Sequence, residues 1–232
     1  MKTHKMKKIW LAALLLPALM LTGCDTTDDD LPPLSSVDEA GNTTINLQNL
    51  QTTLDTIAPG ELNEQEIDGL MYMREEEKLA HDVYTVLYAQ WSQRVFDNIS
   101  NSEQTHTEAV LALIDRYELS DPAAGNEIGV FSDATLQGLN DTLVASGASS
   151  LVDALMVGAA IEEIDMIDIN RYIDQVEDND DIVLVYENLL KGSRNHLRAF
   201  VSNLEKQGVT YVPQYMDADD YQQIIDSPME RG

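Results

Sequence analysis

Four long segments between residues 63 and 207 repeat apolar side chains every three or four positions. This spacing places the apolar side chains on one face of an α-helix, while the alternation typical of a β-strand is nearly absent. Asn63 with Glu66 has the spacing of a helix N-terminal capping box, and Ser150 with Asp153 marks a second helix start. The predicted long helices cover about residues 63–91, 97–118, 150–177 and 180–207.

The connection between the second and third long helices is extended and contains a shorter predicted helix at about residues 133–146. Four helices with one such connection predict an all-α fold, a four-helix bundle with a long crossover. We expect the bundle to occupy residues 61–215. Residues 216–232 form the predicted C-terminal tail, which we expect to pack across one end of the bundle.

Polar residues interrupt each apolar stripe close to the midpoint of its helix. These interruptions are Glu77 in the first stripe, Glu103 and His106 in the second, Glu162 in the third, and Ser193 with His196 in the fourth. Because the midpoints of antiparallel helices share one level, these side chains are expected to converge in one layer. A buried carboxylate needs a partner, and iron or manganese favours mixed carboxylate and imidazole ligands. The alternative is a buried ion pair between Glu103 and His106.

Several motifs carry a family resemblance. The segment from Glu77 to Tyr84 is similar to the first helix of ferritins and rubrerythrins, Glu103-x-x-His106 resembles their second helix, and Glu162 their third-helix glutamate. Short sequence segments at residues 96–99, 161–165 and 192–198 resemble the DUF2202 proteins, an uncharacterised ferritin-like family. The similarity covers about residues 64–215.

This resemblance implies a ferritin-like bundle with a di-iron or iron/manganese site. Glu77 and Glu162 would be terminal or bridging carboxylates, and Glu103 would span both metals. His106 and His196 would each bind one metal through a ring nitrogen. Such a centre reacts with oxygen or peroxide, so the resemblance implies ferroxidase, peroxidase or oxidase chemistry.

The sequence departs from the family template at Ser193, where the fourth helix of the template has a glutamate. Asp165 is a candidate replacement carboxylate and His81 a candidate additional nitrogen ligand; without either, the site holds one metal, or two weakly. Tyr84 is a hydrogen-bond donor to a ligand carboxylate, a participant in one-electron chemistry, or a core tyrosine. Glu163 beside Glu162 leaves the register of the third helix open by one position.

The first 24 residues are predicted to contain an export signal. Basic residues precede an apolar run that ends in Leu21-Thr22-Gly23-Cys24, which resembles the bacterial lipoprotein signal. The resemblance implies a signal peptide at residues 1–23 and a lipid on Cys24. It places the protein in the cell envelope, and Asp25 implies the periplasmic face of the inner membrane if the cell is Gram-negative. Residues 24–60 are predicted to form an acidic, polar tether, in which a short docking turn is the alternative for Ile45, Leu47, Leu50 and Leu54.

Charge restricts the partners of the mature chain. Beyond the signal there are 10 Lys and Arg against 41 Asp and Glu, a formal charge of −31. Such a chain excludes nucleic-acid binding, and attachment to a membrane has to come from the lipid. Two functions are compatible with these features. The first is an envelope-anchored metalloprotein whose redox partner the sequence does not identify. The second, which Ser193 favours, is a non-catalytic metal-binding or protein-interaction lipoprotein. A homodimer is an allowed assembly in either case.

Overall fold

The structure is a computed structural model that describes residues 33–38 and 41–231. Within these residues the chain forms one two-stranded antiparallel sheet and seven helices, which confirms the all-α bundle. The elements in chain order are β1 (Ser35–Val37), β2 (Thr43–Ile45), α1 (Leu47–Leu54), α2 (Glu64–Trp91), α3 (Arg94–Arg116), α4 (Ala134–Gly147), α5 (Leu151–Ile173), α6 (Asp180–Lys206) and α7 (Ala218–Asp226).

The four long helices α2, α3, α5 and α6 form the bundle, and the starts of α2 and α5 follow the capping signals in the sequence, whereas α3 and α6 begin without a side-chain cap. The Asn63 side chain accepts a hydrogen bond from the Glu66 N–H, and the Glu66 carboxylate accepts one from the Asn63 N–H at 2.7 Å. Only two residues join α2 to α3, so these helices lie antiparallel and pack along their length. The helix α5 ends at Ile173, four residues before the predicted end, because an acidic turn follows it.

The crossover between α3 and α5 contains α4, as predicted, and α4 packs against α2 and α5. Its N-terminus is capped by Asp133, whose side chain accepts hydrogen bonds from two backbone N–H groups of the first turn. The core between the four long helices is apolar above and below the middle. Its largest fully buried side chains include Tyr84, Tyr186, Phe96 and Phe200.

The structure corrects the prediction of a tether through residue 60. The two strands form a hairpin on the bundle, and α1 packs against α3, with Leu50 and Leu54 only 2% and 1% exposed. Each of these elements is too short for a helical or strand period to stand out, which is why the sequence read as a tether. The signal, Cys24 and the start of the tether lie outside the described residues.

The C-terminal segment also differs from the prediction. It contains α7, capped by the Asp217 side chain, and it packs along the middle of α5 and α6 rather than across one end of the bundle. Tyr221 is its buried apolar anchor. None of the helices in the described part of the chain combines the length and the apolar character needed to cross a membrane.

Candidate metal centre

The five residues predicted as metal ligands meet in one buried layer, called here the central layer. They come from all four long helices and are each at most 2% exposed: Glu77, Glu103, His106, Glu162 and His196. The carboxylate of Glu103 lies between the two imidazoles. Its Oε2 is 2.8 Å from Nδ1 of His106, and its Oε1 is 2.8 Å from Nδ1 of His196.

A further carboxylate lies beside each imidazole. Glu77 Oε2 is 3.4 Å from Nδ1 of His106, and Glu162 Oε2 is 3.5 Å from Nδ1 of His196. The two rings are stacked with their centroids 5.4 Å apart. The central layer therefore contains two similar halves, each with one carboxylate and one ring nitrogen, and Glu103 is shared between them.

Many polar atoms of the central layer have no hydrogen-bond partner. Neither Nδ1 atom makes a hydrogen bond of normal direction despite its closeness to Glu103, and both oxygens of Glu77 lack a partner. Buried polar atoms are almost always hydrogen-bonded, so such orphaned atoms require an explanation. One ligand atom each from Glu103, His106 and His196 lies within 4.8 Å of the others. This buried group could hold a metal ion, and the orphaned atoms fit that role.

The electrostatics of the layer favour positive charge. Burial raises the pKa of Glu77 to about 7, although His106 beside it opposes the shift. Burial also disfavours the ionised form of Glu103, but His196 and His106 outweigh this and hold its pKa well below the usual range. Burial lowers and the neighbouring carboxylates raise the pKa of His196, which reaches about 9. The described residues include no lysine or arginine that forms an ion pair within this layer.

Asp165, a candidate replacement carboxylate, lies buried beside Ser193 and adds a fourth carboxylate to the cluster. The Ser193 hydroxyl donates a hydrogen bond to Asp165 Oδ2, while Asp165 Oδ1 has no partner. Burial raises the pKa of Asp165, and the charges of Glu77 and Glu162 raise it further, so Asp165 belongs to the same electrostatic cluster. Ser193 thus holds a carboxylate from α5 in place instead of providing one itself.

Tyr84 and the register of α5 are both settled by contacts. The Tyr84 hydroxyl donates a hydrogen bond of 2.5 Å to Glu162 Oε1, so this core tyrosine orients a carboxylate of the central layer. Glu163 faces the other way. It accepts hydrogen bonds from the Tyr211 hydroxyl and from the backbone N–H groups of residues 214–216. Glu162 is therefore the residue that faces the imidazoles.

The structure does not bring His81 to the central layer. Its side chain is 24% exposed, and its Nδ1 lies 2.9 Å from Asp82 Oδ1. Asp82 in turn accepts hydrogen bonds from Lys78 and from the Gly129 N–H of the crossover. The suggestion that His81 adds a nitrogen ligand is wrong, because this outer network holds its ring on the outside of α2.

Sequence reasoning missed two residues that fix the ring of His106. The backbone carbonyl of Thr43 in β2 lies 3.1 Å from His106 Nε2. Gly192 in α6 presses on the other side of the ring, since a Cβ at this position would lie 2.4 Å from His106 Cε1. A glycine inside a helix is unfavourable and is a signal of close approach. A backbone carbonyl leaves no signal in the sequence.

Comparisons with known proteins confirm the resemblance to the DUF2202 proteins. The curated "Uncharacterized protein MJ0754" of Methanocaldococcus jannaschii is 50% identical over 171 residues, which cover 74% of this chain and 92% of that protein. The crystal structure of hypothetical protein MJ0754 from Methanococcus jannaschii superposes with a TM-score of 0.73 at 48% identity, over 75% of this chain and 99% of that one. Residues 66–228 match the family described as "Uncharacterized protein domain (DUF2202)". This chain therefore belongs to the DUF2202 family.

Proposed function

We propose that this protein is a ferritin-like metalloprotein whose central layer binds two transition-metal ions, iron or iron with manganese. The observation that carries the proposal is the position of Glu103, with one oxygen 2.8 Å from each histidine Nδ1. Glu77 and Glu162 then complete two matching sets of one carboxylate and one imidazole around the shared Glu103. A single metal would leave one of these sets without a partner.

Charge and ligand type support the same proposal. The layer collects the four carboxylates of Glu77, Glu103, Glu162 and Asp165, which two divalent cations would neutralise. Oxygen and imidazole nitrogen ligands suit iron and manganese, whereas sites selective for softer metals use sulfur. The described residues contribute no thiolate, since the one cysteine of the chain is Cys24.

When bound, such metals supply the one-electron steps by which ferrous iron is oxidised or oxygen and peroxide are reduced. The chain provides the setting for that chemistry. Tyr84 fixes the orientation of Glu162 through its short hydrogen bond and packs against the buried rings of Phe96 and Phe200. Ser193 fixes Asp165 in the same way. We propose ferroxidase-like or peroxidase-like activity on this basis.

The location of the protein is part of the proposal. Leu21-Thr22-Gly23-Cys24 supports lipid attachment at Cys24 and a place in the cell envelope, at the periplasmic face of the inner membrane if the cell is Gram-negative. The acidic charge of the chain supports a lipid rather than a charged surface as the membrane anchor. The bundle would then act within reach of the bilayer. We propose that it exchanges electrons with a separate redox partner and that it can form a homodimer.

A second candidate function is that of a non-catalytic metal-binding or protein-interaction lipoprotein with a degenerate metal site. Ser193 favours it, because the hydroxyl cannot itself replace a metal-bridging carboxylate. The two functions share the metal site and differ in whether the loaded protein consumes oxygen or peroxide.

Metal content tests the proposal directly. The purified protein should bind iron or manganese at close to two ions per chain, measured by anaerobic titration and elemental analysis. His106→Gln should lose at least one ion, whereas His81→Gln is the matched control and should retain both, because His81 lies outside the central layer. A wild-type protein that takes up neither metal would refute the metalloprotein. Oxygen or peroxide consumption by the loaded protein then separates the enzyme from the binder.

A further inference from the structure

We propose that the N-terminal hairpin (β1 and β2) is a positioning element for the metal centre, and that the backbone carbonyl of Thr43 selects the tautomer of His106 that leaves Nδ1 free to bind metal. The inference rests on the proposed function, because it assigns a role toward the bound metal. It concerns a part of the chain that lies before the DUF2202 match at residues 66–228.

The register of the hairpin determines which backbone groups face the bundle. The flanking bonds run from the Asn46 N–H to the Leu34 carbonyl at 2.8 Å and from the Asp38 N–H to the Asn42 carbonyl at 3.1 Å. Bonded and non-bonded pairs alternate in an antiparallel ladder, so Thr43 and Ile45 occupy non-bonded positions. Their backbone groups therefore point away from β1 and toward the helices.

Both of these outward-facing backbone groups contact α3 next to the proposed ligands. The Ile45 N–H donates to the Thr105 hydroxyl at 2.9 Å, and the Thr43 carbonyl lies 3.1 Å from His106 Nε2. Thr43 and Ile45 are buried, at 0% and 4% exposure. The backbone groups of β2 that do not pair with β1 therefore bond to α3, the helix that carries Glu103 and His106.

The contact with Thr43 fixes the protonation pattern of the ring. A carbonyl only accepts hydrogen bonds, so His106 Nε2 has to carry the hydrogen. In the neutral imidazole the other nitrogen, Nδ1, then has a free electron pair, and Nδ1 is the atom that faces Glu103 and Glu77. Partners of this kind orient metal-binding histidines, and their loss typically weakens metal binding about 10- to 100-fold.

A side-chain network fastens the hairpin to α6 as well. The Thr43 hydroxyl accepts a hydrogen bond of 3.0 Å from the side chain of Asn195, the neighbour of His196. Asn195 also bonds to the backbone of Glu230, so the C-terminal segment secures the same contact. Gly41 lets the chain enter β2 here with φ at +91°, and a Cβ on Gly41 would lie 3.1 Å from the Asn195 carbonyl oxygen.

Gly41→Val tests the inference in the full chain, because the added side chain pushes the hairpin away from α6. Gly125→Val is the matched control, since Gly125 has a similar φ of +75° but no atom within 4 Å of its Cβ position. The first measurement is Mn²⁺ affinity by titration. The second is the hydrogen-exchange rate of the His106 Nε2–H, followed by NMR in protein loaded with Zn²⁺, a diamagnetic ion that accepts the same ligand types.

We expect Gly41→Val to bind Mn²⁺ at least about 10-fold more weakly than Gly125→Val. The His106 Nε2–H should also exchange faster in Gly41→Val. Equal affinities and equal exchange rates in the two variants would overturn the inference while leaving the metal site intact. A wild-type protein without metal affinity would instead refute the proposed function together with this role.

If Gly41→Val does not fold, Thr43→Val decides the question, because it removes only the hydroxyl that accepts from Asn195. The same faster exchange of the Nε2–H is expected in that variant, to a smaller degree. An unchanged exchange rate would overturn the role of the hairpin.

Discussion

Gly192→Ala should damage metal binding far more than folding. A Cβ on residue 192 would lie 2.4 Å from Cε1 and 2.7 Å from Nε2 of His106, whereas an ordinary contact is 3.4–4 Å. The ring therefore has to move by about 1 Å, while metal–ligand distances tolerate only about 0.2 Å. A displaced ring also loses its contact with the Thr43 carbonyl, which lies 3.1 Å from the same Nε2.

The change in stability is smaller because two effects oppose each other. Alanine favours a helix interior over glycine by about 1 kcal/mol, and overpacking a core costs about 1–3 kcal/mol. We therefore expect Gly192→Ala to lose about 0–2 kcal/mol of unfolding free energy, measured by urea denaturation with a chelator present. The loss of one ligand should weaken Mn²⁺ binding at least about 10-fold, which corresponds to about 1.4 kcal/mol.

Gly69→Ala provides the control. Its Cβ would lie 2.8 Å from the ring of Tyr172, so it combines the same helical gain with a similar steric conflict. Tyr172 is half-buried and lies outside the central layer. Gly69→Ala should therefore change stability but leave Mn²⁺ affinity unaltered. Equal affinities for Gly192→Ala and Gly69→Ala would refute the argument that His106 is a ligand held in place by close packing.

Three further predictions concern the surroundings of the centre. Burial opposes ionisation of Asp82, but hydrogen bonds from His81, Lys78 and the backbone hold its pKa below the usual value. The ionised Asp82 therefore stabilises the fold fully at a pH above the ordinary pKa of an aspartate, and this contribution is lost as the pH falls through the lowered pKa. The unfolding free energies of wild type and Asp82→Asn, measured in urea, should therefore converge at acidic pH. Glu163→Gln should speed amide exchange at residues 214–216 without changing metal stoichiometry, and a loss of metal would contradict the assigned register. Leu50→Ala should cost about 2–5 kcal/mol of unfolding free energy, whereas a tether would show no change.

The long helices were predictable because each has an apolar stripe of helical period, and α2 and α5 also have a capping signal at the N-terminus. Asn63 and Glu66 form the capping box that their spacing indicates, and the stripe that follows is buried as expected. The apolar spacing from Ile45 to Leu54 allowed a short docking turn, but the hairpin and the full extent of α1 were not predictable, since three-residue strands and an eight-residue helix are shorter than the window in which a period can be recognised. Their stability comes from contacts with α3 and α6, which only the folded chain shows.

The same distinction holds for the candidate site. Glu77, Glu103 and Glu162 were recognisable because a carboxylate in an apolar stripe contradicts the burial of its neighbours. His81 follows one turn after Glu77, so its spacing alone could not show that Asp82 and the crossover hold it outside. The Thr43 carbonyl lies 63 residues before His106 in the chain and involves no side chain, so no sequence pattern could have revealed it.

The orphaned atoms of the central layer finally connect metal binding to folding. Six buried polar atoms make no hydrogen bond of normal geometry, two of Glu77, two of His196, and one each of His106 and Asp165, although both Nδ1 atoms lie 2.8 Å from an oxygen of Glu103. Three of them, Glu77 Oε1, His196 Nε2 and Asp165 Oδ1, are in no ion pair either, and at about 1–3 kcal/mol each they cost about 3–9 kcal/mol, a large part of the stability of a usual domain. Metal bound at the proposed site would remove this penalty, and stability should rise by about 2.7 kcal/mol at a metal concentration of 100 Kd. His106→Gln should show a much smaller rise in urea midpoint with Mn²⁺. A wild-type midpoint that does not respond to metal would mean that the polar layer is satisfied in some other way.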